Sequence, residues 1–378
     1  MEKRIKIIDL YCGCGGFGLG AELAGCRTVL AVDVDETLQS AYKLNFPQTK
    51  VLKADLSTTD ASFWDEHTKN VSIDGVIGGP PCQGYSRMGL SDFSDPRRTL
   101  VGHFFRNINL IQPKFFIMEN VEGLLDEKNR PELDIALKIV DEKYTVLEPV
   151  ILDASMLGVP TKRKRVIVVG YMKDYFNHIS TSDLTELPGS KTTVEEAISD
   201  LSSPIKQSKD KNDFGWGEYR QLERLSEYAK MMRLPPPEGL GSPLSVEMMM
   251  AGRVSGFFET LHSDAVKHRY KKTAQGQVDV VSRAKRLAWE GVCPTLRSGT
   301  GSDKGSHQAV RPIHPEQNRV ITSREAARLQ GFPDWFLFHP TKWHSFRMIG
   351  NSVSPIVSMR ILDLIKSKFI DDSLKQAV

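Results

Sequence analysis

The feature that most limits how this chain folds is residues 11–20, YCGCGGFGLG, which follow without a break on the apolar run 5–10. Six residues rich in isoleucine make that run a buried strand rather than a helix. Gly13, Gly15 and Gly18 then stand in GxGxxG spacing ahead of a helix-like stretch at 21–25. Glycines so placed let backbone N–H groups and a helix N-terminus approach a ligand closely. A second strand at 28–32 ends in Asp33, and a third at 51–54 ends in Asp55. Strand, glycine loop, helix, and strand ending in a carboxylate specify an α/β fold with its ligand edge at the C-terminal ends of the strands.

Asp33 follows the first glycine by about 20 residues, the distance at which an acidic side chain reaches ribose hydroxyls. The ligand on this reading contains adenosine, and the fingerprint fits NAD as well as S-adenosylmethionine. Asp55 also reads as a helix cap, because Ser57 and Thr58 follow it at a helix start.

A short apolar segment, 73–77, runs into GGPPCQGYS at residues 78–86. Two glycines let the backbone leave the sheet, and two prolines fix φ and forbid helix. Cys82 is thereby presented on a stiff corner at the ligand edge, as a candidate nucleophile. The plainer reading of a lone cysteine is a small buried thiol in a tight turn. Against it, Gln83, Gly84, Tyr85 and Ser86 offer little that packs as core, and the stretch through Gly89, Ser91 and Asp95 reads as a mobile loop.

A helix is expected at 100–111, then a strand at 114–118 with Glu119 at its end. Glu119 either caps the following turn or supplies a carboxyl one strand along from Cys82. Two further strands, 144–155 and 164–170, are joined through Gly158, Val159 and Pro160. Alternation puts Arg163 and Arg165 on one face and Lys162 and Lys164 on the other. Such a basic run is often a solvated face. Its entry into the apolar VIVVG aims the two arginines at a site instead.

A chain of 378 residues is too long for one small core and predicts two domains. The formal net charge of +3 is too small to identify a nucleic-acid partner, so any basic surface must be local. Five cysteines, Cys12, Cys14, Cys26, Cys82 and Cys293, lack paired CxxC spacing. Neither a disulfide framework nor a zinc site follows, no metal is expected, and a reducing cytoplasmic compartment is. The N-terminal apolar run is broken at Asp9, which argues against a signal peptide or membrane span.

From 172 to 313 periodicity weakens, with Pro235, Pro236 and Pro237 in a row. Basic residues gather late in this region: Lys267, Arg269, Lys271, Lys272, Arg283, Lys285, Arg286 and Arg297, with His262 and His268 among them. They read mainly as phosphate contacts, with a minority reaching bases. Residues 298–306, SGTGSDKGS, read as a linker or a backbone contact. Thr322 and Glu325 form a capping-box pattern for a helix that Gly331 and Pro333 stop. Ser354 and Pro355 start another, with Ile356, Val357, Ile361, Leu364 and Ile365 as a core stripe.

Taken in order, these stretches resemble the C5-cytosine DNA methyltransferases of the bacterial restriction-modification type. DLYCGCGGFGLG is similar to that family's cofactor motif, GGPPCQGYS to its nucleophile motif, MENV to its ENV motif and GVPTKRKRVIVVG to its two-arginine motif. TSREAARLQGFPDWF and RMIGNSVSP match its ninth and tenth motifs. One departure is Thr161, where the family usually has glutamine.

The resemblance implies a Rossmann-like S-adenosylmethionine-dependent methyltransferase domain with a smaller irregular target-recognition domain. Catalytic and cofactor-binding residues then fall in 1–171, target recognition in 172–313, and a return to the catalytic domain in 314–378. It implies a thiolate at Cys82 that adds to C6 of a flipped-out cytosine, and Glu119 bonding N3 and the exocyclic amine. Arg165 would bind O2, and Arg163 would steady the site. Gly13, Gly15 and Phe17 would line the methionine end of the cofactor, Asp33 and the adjoining Val34 the ribose side, and Asp55 the adenine amine. Asn351 and Val353 would close that pocket. Ser86 and Arg97 would touch phosphates from the loop after Cys82, and Lys271, Lys272, Arg283 and Arg297 would contact DNA from the middle region. Double-stranded DNA is the implied partner, with a cognate restriction endonuclease as a functional one, and a monomer suffices for the reaction. Competing readings are an NAD-dependent oxidoreductase, a tRNA methyltransferase built from the same parts, and a DNA-binding regulator without catalysis.

Overall fold

A computed structural model describes residues 4–69, 71–81, 99–297 and 311–370. Its centre is a sheet built from β1 (Lys6–Leu10), β2 (Arg27–Asp33), β3 (Lys50–Lys53), β4 (Gly75–Gly78), β5 (Phe115–Val121), β6 (Tyr144–Val146), β7 (Val150–Asp153) and β8 (Lys164–Met172). The order is β3-β2-β1-β4-β5-β8-β6, with β7 also paired to β8. The first five strands run parallel, and β8 is antiparallel to β5, β6 and β7. The chain winds outward from β1 to β3, then returns to place β4 on the other side of β1. That reversal opens a crevice beyond the C-terminal ends of β1 and β4, where the two glycine-rich stretches leave the sheet.

Parallel strands buried on both faces must be apolar throughout, and side-chain alternation divides them between two cores. Ile7, Ala31, Ile77, Ile117 and Val169 face one core, and Ile8, Val32, Val76, Met118 and Val168 face the other. On the second face lie α3 (Ala61–Thr68), α4 (Leu100–Ile111) and α5 (Arg130–Leu137). On the first lie α1 (Gly16–Leu23) and α2 (Glu36–Asn45).

The middle of the chain contributes α6 (Thr181–Thr185), α7 (Val194–Ile198), α8 (Glu227–Met232), α9 (Pro243–Met250) and α10 (Asp264–Lys272), with a two-stranded ladder of β9 (Gly217–Glu218) and β10 (Arg253–Val254). Three helices follow: α11 (Ser323–Gln330), α12 (Lys342–Asn351) and α13 (Pro355–Lys368). The stretch Lys342–Lys368 is apolar enough by length and composition to cross a membrane, but 72% of its most apolar window is buried inside the protein. Helix α13 lies along α1. Ser358 Oγ donates to the Phe17 carbonyl at 2.7 Å, and a Cβ at Gly20 would fall 2.2 Å from Ser358 Cβ. That contact is why α1 needs a glycine there.

Several boundaries differ from the sequence reading. Helix α1 begins at Gly16 rather than at residue 21, because Gly15 in a left-handed conformation (φ 99°) already starts it. Strand β5 continues to Val121, so Glu119 is inside a strand paired with Ile167 and is not a turn cap. The single strand expected at 144–155 is broken into β6 and β7 around Pro149, which has no N–H to give the ladder. Helix α3 is capped by Asp60, which accepts from Phe63 N, and Asp55 closes its own turn by accepting from Ser57 N at 2.9 Å. Helix α12 was not foreseen, since KWHSFRMIGN mixes charge, histidine and glycine without a clean apolar stripe.

Candidate active site

The cofactor end is built on the loop after β1. Gly13 (φ 55°) and Gly15 (φ 99°) hold left-handed backbone that L side chains rarely adopt, and a Cβ at Gly13 would meet nothing within 4 Å. Its open side therefore admits a ligand, while Gly13 N donates to Asp33 Oδ2 at 2.8 Å. Asp33 Oδ1 accepts from Asp35 N at 2.8 Å, so the carboxylate is fixed at the tip of β2. Burial pushes the Asp33 carboxyl above its usual range, against the pull of the Asp35 and Gly13 amides. Val34 beside it is 62% exposed, an apolar surface next to a buried carboxylate. Asp55 lies at the tip of the neighbouring strand, exposed, with its carboxyl held down by Ser57. Phe17 is buried in the first turn of α1.

Below the loop, Asp9 is buried in mid-strand, where its Oδ2 accepts from Gly18 N at 3.1 Å and from the Tyr42 hydroxyl at 3.3 Å. Burial pushes its carboxyl up to about 8.

The C-terminal loop between α12 and α13 sits directly on the glycine loop. Val353 O would be 2.4 Å from a Cβ at Gly16, and Cys14 Sγ lies 3.0 Å from Ser352 Oγ. Asn351, exposed, and Val353, 9% exposed, are thereby brought beside Gly13, Gly15 and Phe17 although more than 330 residues separate them. Arg347 on the same helix donates to Asp35 Oδ2 at 2.6 Å, a second tie between α12 and the tip of β2. The buried carboxylate, open glycine backbone and exposed apolar side chain fit an adenosine ligand.

The catalytic end lies one and two strands further along the sheet. Cys82, Ser86 and Arg97 fall outside the described residues. The approach to Cys82 is described: Gly78 pairs with Met118, and Asn120 Nδ2 donates to the Pro80 carbonyl at 3.2 Å. A Cβ at Gly79 would come within 3.3 Å of Glu119 Oε2, so the Glu119 carboxylate sits against the chain three residues before Cys82. Glu119 is 7% exposed, and Arg165 Nε lies 2.8 Å from its Oε1. That contact is a close ion pair without hydrogen-bond alignment, so Oε1 keeps a lone pair for an incoming donor.

Arg163 and Arg165 do share a side, as strand alternation predicts, while Lys162 and Lys164 are exposed. Together with Glu119, Val353 and Ser354 they line one small cavity. Arg163 is 2% exposed and donates to Gly350 O at 3.1 Å and Ser352 O at 2.9 Å. Thr161, where the family pattern has glutamine, is buried and donates to Leu329 O in α11 at 2.6 Å. Its hydroxyl ties the arginine strand to that helix.

The basic residues of the middle region divide into two kinds. Lys271 and Lys272 in the last turn of α10, Arg283 (φ 61°) and Arg297 are exposed. Arg269 and Arg286, expected among the phosphate contacts, are structural. Arg269 Nε pairs with Asp279 at 2.8 Å, and Arg286 is buried, donating to the carbonyls of Tyr270, His314 and Pro315. Residues 298–306 lie outside the described residues.

Two arginines missed by the sequence reading are among the most buried side chains. Arg328 in α11 donates to Asp334 at 2.6 and 2.7 Å and to Asp200 at 3.0 and 3.1 Å. Arg324, one turn before it, donates to Ser255 O and Phe336 O. The i, i+4 spacing of the two arginines was visible, but arginine on a helix normally signals its solvated face. Among the described residues no group of three or more His, Cys, Asp or Glu is arranged to hold a metal ion.

Comparison with known proteins bears on this arrangement. Residues 5–367 match the family model described as C-5 cytosine-specific DNA methylase. The chain is 38% identical to the Type II methyltransferase M.XorII of Xanthomonas oryzae pv. oryzae, over 94% of this chain and 82% of that protein. It is 31% identical to the Type II methyltransferase M.DdeI of Desulfomicrobium norvegicum, over 97% and 89%. Among solved structures, a DNA modification methyltransferase encoded within an E. coli prophage superposes with a TM-score of 0.83 at 38% identity, covering 96% of this chain and 99% of that one. The S. pombe Dnmt2 methyltransferase, at 17% identity and a TM-score of 0.62, shares the fold. The chain belongs to the C-5 cytosine-specific DNA methylase family, and is thus a DNA cytosine-5-methyltransferase that uses S-adenosylmethionine.

Proposed function

We propose that Cys82, Glu119, Arg163 and Arg165 carry the methyl transfer, each in a distinct role. The observation that supports this most is the Glu119–Arg165 pair at 2.8 Å, with Glu119 against Gly79 and Arg163 lining the same cavity. C5 of cytosine is a weak nucleophile. Addition of the Cys82 thiolate to C6 moves an electron pair onto C5 and turns the ring into an enamine. Glu119 bonds N3 and the exocyclic amine, stabilising the ring as the thiolate adds and selecting cytosine. Arg165, anchored on Glu119, faces O2. Arg163 holds the C-terminal loop against this edge. The bound S-adenosylmethionine supplies the electrophilic methyl group that C5 attacks. Transfer of the C5 proton to water re-forms the C5–C6 double bond, breaks the C6–S bond and releases Cys82 as the thiolate. Atoms of the base that react lie inside a stacked duplex, so the cytosine must be flipped out to reach these groups.

For the cofactor, Gly13, Gly15 and Phe17 line the methionine end, Asp33 and Val34 take the ribose side, Asp55 takes the adenine amine, and Asn351 and Val353 close the pocket. Residues 1–171 and 314–378 form the catalytic unit on this reading, and 172–313 recognise the target. Lys271, Lys272, Arg283 and Arg297, with Ser86 and Arg97, hold the DNA. One active site on one chain suffices, so the protein acts as a cytoplasmic monomer, and the relatives' Type II names suggest a cognate restriction endonuclease as its functional counterpart.

The test is cytosine-methylation sequencing of genomic DNA from a methylation-free host expressing the chain, with Cys82→Ala in parallel. A short recurrent site methylated only by the unaltered chain supports the reaction and the nucleophile together. Methylation surviving in Cys82→Ala would remove that residue from its role.

A further inference from the structure

A cavity of about 410 Å³ lies at the N-terminal end of α12, and the methyl-transfer site makes no use of it. Lys209, Lys211, Arg311 and Lys342 line it, with Asp210 as the one acidic residue among the lining groups. Arg311 stands out. Its guanidinium lies 3.9 Å over the Phe346 ring, and no carboxylate among the described residues offsets its burial, which lowers its pKa to about 10. Lys342 donates to the Glu259 carbonyl, and burial and the nearby Arg311 hold its ammonium below its usual range. Glu259 is the one carboxylate that pulls the Lys342 ammonium the other way, while among the described residues nothing does so for Arg311, so two partly desolvated like charges stand side by side, at a cost that remains unless something else offsets it. An anion does so, and the positive end of α12 adds to its attraction.

The position of the cavity narrows the choice of anion. Helix α12 has ten residues, so its ends are about 15 Å apart. At the far end, Gly350 and Ser352 hold Arg163, which shares a cavity with Glu119. A separation of about 15 Å is the rise of four to five base pairs at about 3.4 Å each. A duplex that places its target cytosine at Glu119 therefore carries backbone phosphates at the distance of this cavity. The guanidinium fork and the ammonium are the two groups that proteins use to bind phosphate oxygens.

We propose that this cavity seats a phosphate of the DNA backbone a few nucleotides from the flipped cytosine, with Arg311 and Lys342 as the deep contacts and Lys209 and Lys211 at the rim. The assignment rests on the DNA-methylation reading above.

The experiment compares the full-length chain with Arg311→Met, Lys342→Met and the double variant. Methionine keeps the apolar stem that packs on Phe346, so loss of charge is separated from loss of packing. Duplex binding is measured by fluorescence anisotropy across a salt series, alongside steady-state methylation. Each substitution should weaken binding to specific and unrelated duplexes alike, by roughly threefold to tenfold, and lower the slope of log K against log salt by about one. The loss should fall on KM for DNA rather than on kcat. A wild-type chain that methylates DNA, with variants whose slope and KM are unmoved, overturns the proposal alone. A wild-type chain inactive on every duplex overturns the functional reading and this proposal with it. Titration with inorganic phosphate separates the remaining source: phosphate binding lost in the variants, with the DNA slope unmoved, assigns the cavity to a free anion and also overturns it.

Discussion

Arg163 donates to the Ser352 carbonyl at 2.9 Å across 189 residues of chain, and to the Gly350 carbonyl from the same guanidinium. This one side chain joins the arginine strand beside Glu119 to the loop that covers the cofactor glycines. A lysine offers a point charge and cannot bridge two carbonyls as a planar fork does. Arg163→Lys should therefore lower kcat by about 10²-fold or more and weaken cofactor binding as well. Methyl-transfer rates and calorimetry on the same variant check this, and a change in only one of the two would break the proposed link.

Asp33 holds the glycine loop through Gly13 N and, on the reading above, the ribose. Hydrogen bonds to a charged group contribute about 1.5–3 kcal/mol each. Asp33→Ala should weaken S-adenosylmethionine binding by roughly 10- to 100-fold. Unchanged affinity by calorimetry would take Asp33 out of the cofactor site.

Glu119→Gln keeps the shape of the side chain but removes its charge beside Arg165 and its capacity to exchange a proton with the base. The loss of acid–base assistance predicts kcat lower by about 10²- to 10⁴-fold, with duplex affinity changed little. Stopped-flow or single-turnover methylation separates this from a binding defect.

Arg328 is fully buried between Asp200 and Asp334, joining α11 to the end of α7 and to the turn after Gly331. Arg328→Met removes the buried cation shared by the two carboxylates, leaving Asp200 with Arg233 and Asp334 with Arg324 and the Tyr219 hydroxyl, and breaking such a buried pair costs about 3–5 kcal/mol. The midpoint of urea unfolding should fall accordingly, while the less disruptive Arg220→Ala, at an exposed site, should leave it nearly unchanged.

His314 accepts from Glu316 N and Gln317 N through Nδ1, so the ring must stay neutral on that side. Burial depresses its pKa to about 4 from an ordinary 6.5. Between those values the unfolded chain takes up a proton that the native one refuses, so stability is full above about pH 6.5 and falls as pH drops toward 4. Asp9 acts in the opposite sense, because its raised carboxyl makes the native state the better proton binder up to about pH 8. Comparing wild type with His314→Asn, which keeps an acceptor near Nδ1, isolates the histidine. The variant should lose less thermal stability between pH 7 and pH 5, and parallel melting curves would refute the assignment.

The glycine loop, the carboxylates at the tips of β2 and β3 and the starts of α11 and α13 were all legible in the sequence, because strand alternation, turn chemistry and capping act over a few residues. So was the side shared by Arg163 and Arg165. Pairings over long distances in the chain were not. Arg286 and Arg269 look like surface cations until the carbonyls and the carboxylate that receive them fold into place. Arg328 reads as solvated helix until Asp200 arrives from 128 residues away. Conversely, Arg311 carries no local signal and becomes notable because the fold buries it over Phe346 with no carboxylate among the described residues to offset that burial. Local sequence determined the framework and the types of reactive side chain. Only the tertiary structure decided which charges are neutralised and which remain available, because burial and partner supply are set by segments far apart in the chain.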